Sequence, residues 1–281
     1  MNRDLLRPIT DDEIRAYDED GAVCIRGQFD RAWIGRMLAL VEANRESPAG
    51  RVLESGDDEP GKVIANSHMA RSSAAFMDFV RHSPAREIAA RLMGLDEVRF
   101  FYDQLFIKDP GTRMPTAWHH DLPFWPLAGN HVASVWLALT PVTRATSGLV
   151  YVAGSHRWDR MYRPVPAVPR EGFALAEADA FPDCPPFHRE FDNPAYRFLS
   201  WDMAAGDCIV HHPMAVHGAG GNPADAQRRV ALSCRFFGGD IVWYGPRTQF
   251  NVPGAEAAAL EAGAFPADDD LFPVVWRAGA A

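Results

Sequence analysis

The sequence predicts a mainly β domain of jelly-roll type, with α-helices gathered in its N-terminal part. Three observations carry this expectation. Beyond residue 97 the chain breaks into short runs rich in aromatic and β-branched residues, separated by Pro/Gly turns. Before that point, helix caps and apolar residues at helical spacing dominate. Neither an internal repeat nor an apolar run long enough to span a membrane points to another class.

The elements follow in order. Thr10 and Glu13 form a capping box that opens a short helix. A strand is expected at 22–25. Asp30 caps a second helix, whose Trp33, Ile34, Met37, Leu38 and Val41 recur on one face. Residues 56–61 read as a turn. Ser83 and Pro84 read as N-cap and first position of a helix carrying Ile88 and Leu92 and stopping near Gly94. The run 98–108 is a long strand ended by Asp109-Pro110-Gly111. Further strands are expected at 131–139, 148–152, 207–212 and 228–237. Between them, about 157–197, lies a segment studded with prolines, which fits a lid or a packed surface excursion. An Ala-rich stretch at 256–263 suggests one short helix. We therefore expect one domain over 1–281: an α-rich part (1–97), a jelly-roll core (98–245) with a Pro-rich insert (157–197), and a tail (246–281).

Composition narrows the partners. The chain has 281 residues, 47% of them hydrophobic and 23% charged, which is ordinary for a globular core. Its net charge of −9 argues against nucleic acid and anionic membrane as partners, since both need a basic face. Lys62 and Lys108 are the only lysines. Cys24, Cys184, Cys208 and Cys234 form no C-x-x-C pair, and the N-terminus shows no apolar leader. A reducing cytoplasm is the expected compartment.

The most informative stretch is Trp118-His119-His120-Asp121. On a strand, His119 and Asp121 share one face and His120 takes the other. A third ligand from a distant segment would complete two imidazoles and a carboxylate on one side of a metal, leaving positions open. That is the arrangement of non-haem Fe(II) oxygenases. His211, His212 and His217 are the candidates for the third ligand. His217 is preferred because the glycines after it let the backbone turn and approach a ligand. Downstream, Val230, Leu232, Cys234 and Phe236 form the more apolar row of a strand. Arg228 shares their parity and would point into the barrel, with Arg229 pointing out. A buried guanidinium needs an anion. Either a core carboxylate or the far carboxylate of a dicarboxylate co-substrate would serve.

Together these segments resemble the phytanoyl-CoA dioxygenase family of Fe(II)/2-oxoglutarate oxygenases, across most of 98–240. The matching residues are Phe101 to Lys108, Trp118 to Trp125, Val135 to Leu139, Gly154-Ser155-His156, Gly206-Asp207, His217-Gly218 with Asn222, and Arg228-Arg229. The resemblance implies a double-stranded β-helix core with helices packed on it. It implies His119, Asp121 and His217 as iron ligands and Arg228 as the 2-oxoglutarate anchor. Trp136 would stand beside the co-substrate, and Lys62 would match a basic residue used in some members. The implied reaction consumes 2-oxoglutarate and O₂, hydroxylates an unactivated C–H bond of a small organic molecule, and releases succinate and CO₂. A carboxylate at Asp121, where related halogenases carry a small residue, favours hydroxylation or a related oxidation. The sequence departs from the pattern at Thr146-Ser147, Ala153 and Ala219, the last putting one co-substrate hydrogen bond in doubt. His156 is read as structural. Gln104, Phe106, Leu122, Phe124 and Trp125 are the expected substrate wall, and Arg157, Arg160, Arg163 and Arg170 could meet an acidic substrate. A cupin-type metalloenzyme without 2-oxoglutarate and a non-catalytic binding barrel remain the alternatives.

Overall fold

The structure, a computed structural model, describes every residue except 56–59, 167–172, 224, 251 and 280–281. The turn expected at 56–61 therefore lies largely outside the described residues, as do Pro169 and Arg170.

Local sequence explains the helices. In α1 (Asp11–Asp20) the Thr10 hydroxyl accepts the Glu13 N–H, and the Glu13 carboxylate accepts the Thr10 N–H at 2.9 Å. This reciprocal cap satisfies donors that the first turn leaves free. Asp30 opens α2 (Arg31–Glu46) by accepting the Trp33 N–H at 2.8 Å. Two short helices follow, α3 (Ala74–His82) and α4 (Ala85–Met93), the last stopped by Gly94.

Fourteen strands are described. They are β1 (Ala22–Ile25), β2 (Arg51–Glu54), β3 (Val63–Ser67), β4 (Glu97–Lys108), β5 (Thr116–His119), β6 (Leu127–Ala128) and β7 (Val132–Ala138). The rest are β8 (Val150–Val152), β9 (Phe198–Leu199), β10 (Cys208–His211), β11 (His217–Ala219), β12 (Arg229–Phe237), β13 (Val242–Trp243) and β14 (Val274–Arg277). The larger sheet runs β1-β10-β7-β12-β4-β3-β2, with β14 also paired to β4. The smaller runs β5-β11-β8-β9, and β13-β6 form a ribbon. Two antiparallel sheets with helices on one outer face make the jelly-roll expected from the sequence. Residues 256–263 form turns rather than the expected helix, and the tail instead adds β14 to the larger sheet.

The two faces of the larger sheet differ in polarity, and this decides where the site lies. On β12, Val230, Leu232, Cys234 and Phe236 join Trp33, Met37 and Ile88 in one core, beneath the helices. Ala231 points the other way, into a core shared with Trp136 and Tyr151. Arg229 and Arg235 share that inner face and line a cavity. The apolar row is thus the outer one. The insert docks on the smaller sheet: Trp118 packs against Phe187 at 5.7 Å, and the Tyr162 N–H donates to His120 Nε2 at 2.8 Å. His120 therefore faces away from the candidate metal site, as its parity requires.

Candidate metal centre and co-substrate pocket

β5 and β11 are neighbours, with His217 opposite His119 in the register. β5 ends at His119, two residues earlier than a strand through Asp121 would need. Asp121 instead opens a 3-10 turn with φ −77° and ψ −36°. Its N–H and that of Leu122 both donate to the Pro213 carbonyl, at 2.7 and 3.0 Å. This turn brings the carboxylate back to the two rings. One ligand atom from each of His119, Asp121 and His217 lies within 4.8 Å of the others, close enough to share an ion.

The rings each present one nitrogen to that point. His119 Nδ1 lies 2.7 Å from the Ala117 carbonyl, and His217 Nδ1 lies 2.9 Å from the Ala215 carbonyl. A carbonyl only accepts, so both Nδ1 atoms carry a proton and both rings turn Nε2 toward the shared point, the nitrogen with which a neutral ring of this tautomer binds a metal. Burial, reinforced by the neighbouring His119 and His211, pushes the His217 pKa well below its ordinary value and keeps it neutral. Asp121 stays charged for the opposite reason. Burial disfavours its carboxylate, but the adjoining His119 and His211 rings and the Arg235 charge outweigh that and hold its pKa well below the usual range. Its Oδ1 faces His119 Nε2 at 3.6 Å. Its Oδ2 is held by Ser134 Oγ at 3.2 Å and His211 Nε2 at 3.3 Å, with Arg235 Nη2 at 3.9 Å. His211 must donate from Nε2, so its Nδ1 accepts the Tyr151 hydroxyl at 3.0 Å. Two imidazoles and one fixed carboxylate are a donor set that fits Fe(II).

The structure reverses the directions expected of Arg228 and Arg229. Arg228 precedes β12 and turns outward, its Nε 2.6 Å from Asp109 Oδ1 and its Nη1 3.5 Å from Glu42. It does not line the cavity. Arg229 does, with 3% of its surface exposed and no carboxylate within ion-pair distance among the described residues. Burial lowers its pKa to about 10, which leaves it charged. The error has a physical origin: the apolar row was taken for the cavity row, whereas helices make the outer face the drier one. Trp136 lines the same cavity, with the Arg229 guanidinium 5.6 Å from its ring centre. Lys62 lies away from the cavity, paired with Glu54 at 3.1 Å.

Gln104, Phe106, Phe124 and Trp125 line the cavity, but Leu122 is buried in the core beside Phe101 and Met214. In the insert, Arg163 pairs with Asp179 and Asp183, and Arg157 bonds backbone carbonyls of α1, so neither faces the cavity. His156 bonds the Asp18 carbonyl at 3.0 Å, in keeping with a structural role.

Four residues at or behind the cavity wall escaped sequence reasoning. Arg235 and Ser134 sit beside Asp121. Lys108 Nζ donates to the Met114 and Gly220 carbonyls, at 3.1 and 2.8 Å, and burial with the adjacent Arg229 lowers its pKa to about 6. Ser147 adopts a left-handed φ of 68°, where its hydroxyl donates to the Gly220 carbonyl at 2.8 Å and accepts from Arg229 Nη2 at 3.3 Å. The signal was available for Ser147: it is one of the positions where the sequence departs from the family pattern, and a left-handed φ is one that glycine adopts freely. Gly221 serves the same corner. A Cβ there would lie 2.4 Å from the Thr112 carbonyl oxygen.

A jelly-roll barrel that gathers two imidazoles, a carboxylate and a buried arginine around one cavity has the make-up of an iron- and 2-oxoglutarate-dependent oxygenase. Comparison with known proteins makes the assignment specific. The phytanoyl-CoA dioxygenase family model matches residues 17–230, and the chain belongs to that family. A probable phytanoyl-CoA dioxygenase from Caenorhabditis elegans is 28% identical over 127 residues, covering 45% of this chain and 37% of that protein. The chain thus spans well under half of that relative. The multifunctional dioxygenase prhA of Penicillium brasilianum is 24% identical over 234 residues, 79% of this chain and 70% of that one. Among solved structures, the non-haem α-ketoglutarate-dependent carbocyclase SnoK of nogalamycin biosynthesis aligns with a TM-score of 0.75 at 24% identity, covering 98% and 100% of the two chains. The epimerase SnoN, solved with Fe³⁺, α-ketoglutarate and nogalamycin RO, aligns at 0.70 and 23% identity, covering 94% and 97%. The protein is therefore an enzyme of the iron- and 2-oxoglutarate-dependent kind. No helix among the described residues is long and apolar enough to cross a membrane.

Proposed function

We propose that the enzyme oxidises an unactivated C–H bond of a small organic molecule, hydroxylation being the simplest outcome, with succinate and CO₂ as co-products. In this reading His119, Asp121 and His217 hold the iron and Arg229 holds the far carboxylate of 2-oxoglutarate. When bound, iron with 2-oxoglutarate and O₂ supplies the oxidant. The chain's residues do the rest. Ala117 and Ala215 carbonyls fix the ring tautomers, and Ser134 and His211 fix Asp121 so that one oxygen faces the metal. Arg229, steadied by Ser147, orients the co-substrate, with Lys108 as its basic neighbour. Phe106, Phe124 and Trp125 keep the cavity apolar around the target carbon.

The observation that carries this reading is one cavity lined by both the three candidate ligands and a buried arginine that no carboxylate among the described residues pairs. An isolated buried guanidinium is too costly to keep without an anionic ligand. Anaerobic reconstitution with Fe(II) and 2-oxoglutarate tests it, followed by O₂ and a substrate panel scored by succinate and product mass. Succinate formation that needs both iron and 2-oxoglutarate, with a product heavier by one oxygen, is expected. Substrate turnover without 2-oxoglutarate would instead favour a cupin-type metalloenzyme.

A further inference from the structure

The cavity holds more basic side chains than iron-site chemistry uses. Its described lining holds Arg51, Lys108, Arg229 and Arg235 against a single carboxylate, Asp121, in a chain whose net charge is −9. Three of these basic residues have roles in the reading above. Arg229 and Lys108 stand together for the co-substrate, and Arg235 is set against Asp121. Arg51 has none.

Arg51 belongs to a built feature. Cross-strand register places Arg51 opposite Ser67, and Ser67 opposite Gln104. Residues directly opposite in a sheet share a face, with Cβ atoms about 5 Å apart. The three therefore form one polar row running from the edge strand β2 into the cavity, and all three line it. No hydrogen bond or ion pair engages their side chains within the described residues. Gly50 fixes the start of the row: at φ 73° a Cβ would lie 2.2 Å from the Ser67 carbonyl oxygen, so only glycine lets β2 close onto β3 there. The row is removed from the co-substrate anchor. Gln104 and Lys108 are four residues apart on β4, about 13 Å along the strand, and Arg51 lies two strands farther out, about 10 Å across. A five-carbon diacid held on Arg229 does not reach it. Phe124, Phe173 and Phe250 supply apolar wall in the same cavity.

We propose that the prime substrate is an organic acid, with an apolar body against these rings and its carboxylate received by Arg51, Ser67 and Gln104. This rests on the functional reading above and deepens it. Arg51 forms the charged contact and, with Ser67 and Gln104 donating beside it, sets which end of the substrate faces the metal.

The test uses the full chain, loaded anaerobically with Fe(II) and saturating 2-oxoglutarate so that the anchor is filled. A panel of aryl- and alkyl-alkanoic acids, each matched with its primary amide, is titrated calorimetrically against wild type, Arg51→Gln and Arg51→Lys. Acids are expected to bind at least tenfold tighter than their amides. Arg51→Gln should erase that preference and Arg51→Lys should keep part of it. The 2-oxoglutarate affinity of each variant is measured alongside as the check on folding. Amides binding as well as acids, an acid preference that survives Arg51→Gln, or 2-oxoglutarate binding with no acid from the panel would each overturn the proposal. Failure of wild type to bind 2-oxoglutarate would instead remove the functional reading beneath it.

Discussion

Arg228 and Arg229 are adjacent, chemically identical and expected to behave in opposite ways, which makes them the sharpest test of the site. Arg229 is buried with no carboxylate partner among the described residues, whereas Arg228 is partly exposed and paired with Asp109 and Glu42. Removing one partner of a buried, hydrogen-bonded charge pair costs about 2–5 kcal/mol. That corresponds to a loss of 2-oxoglutarate affinity between roughly 30-fold and several thousand-fold. Lys108 remains beside the anchor in Arg229→Leu, so we expect the lower half of that range. The same substitution removes an uncompensated buried cation from the empty protein, so the ligand-free melting temperature should hold or rise. Arg228→Ala breaks a half-exposed pair worth about 0–1 kcal/mol, lowering stability slightly and leaving 2-oxoglutarate affinity within about twofold. The assay is anaerobic calorimetric titration of 2-oxoglutarate into the Fe(II) protein, with melting curves on the same samples. Arg229→Leu leaving affinity intact, or Arg228→Ala weakening it more than tenfold, would refute the assignment.

The remaining predictions concern the same cavity. Lys108 titrates near 6 in the empty pocket, so at pH 7.5 it is mostly neutral there. An arriving dianion favours its charged form. Binding of 2-oxoglutarate should therefore take up protons, and affinity should strengthen as pH falls toward 6; titrations in buffers of different ionisation enthalpy read this directly, and zero uptake would contradict it. Ser147→Ala and Ser147→Gly both delete the hydroxyl bonding Arg229, though Gly relieves the backbone. Each should weaken 2-oxoglutarate binding about three- to tenfold, the size of one hydrogen bond; a Gly variant that binds like wild type would show that the hydroxyl is dispensable. His217→Ala should reduce bound iron from one ion per chain to a trace in metal analysis, and undiminished iron would move the third ligand elsewhere.

Much of the fold was legible because its signals are local. Thr10 and Asp30 announce helices through their own side chains, and the aromatic run of β4 cannot be mistaken for a helix. β2, β3 and β14 were not anticipated. β2 and β14 are only four residues long, and what holds them is pairing to distant partners, Arg51 to Ser67 and Val274 to Arg99. Helix α3 was missed although Phe76, Phe79 and Val80 are spaced to bury one face. Of the site, the three candidate ligands were found from the H-x-D spacing and the glycines after His217. Asp121 joined them through a turn held by Pro213, not through the strand alternation first invoked.

The residues that were missed share one cause. Ser134, Ser147, Arg229 and Arg235 are all at most 3% exposed, yet all are polar, and sequence reasoning assigns polar residues to the surface. A jelly-roll with helices on its outer face reverses that rule for the larger sheet. The face toward the helices is dry and hydrophobic, while the face toward the cavity must carry the donors that meet anions and fix Asp121. Parity along β12 was read correctly as alternation and wrongly as direction. Once the helical layer is counted as the hydrophobic partner of Val230, Leu232, Cys234 and Phe236, the charged row of Arg229 and Arg235 has one place left to go, and it is the site.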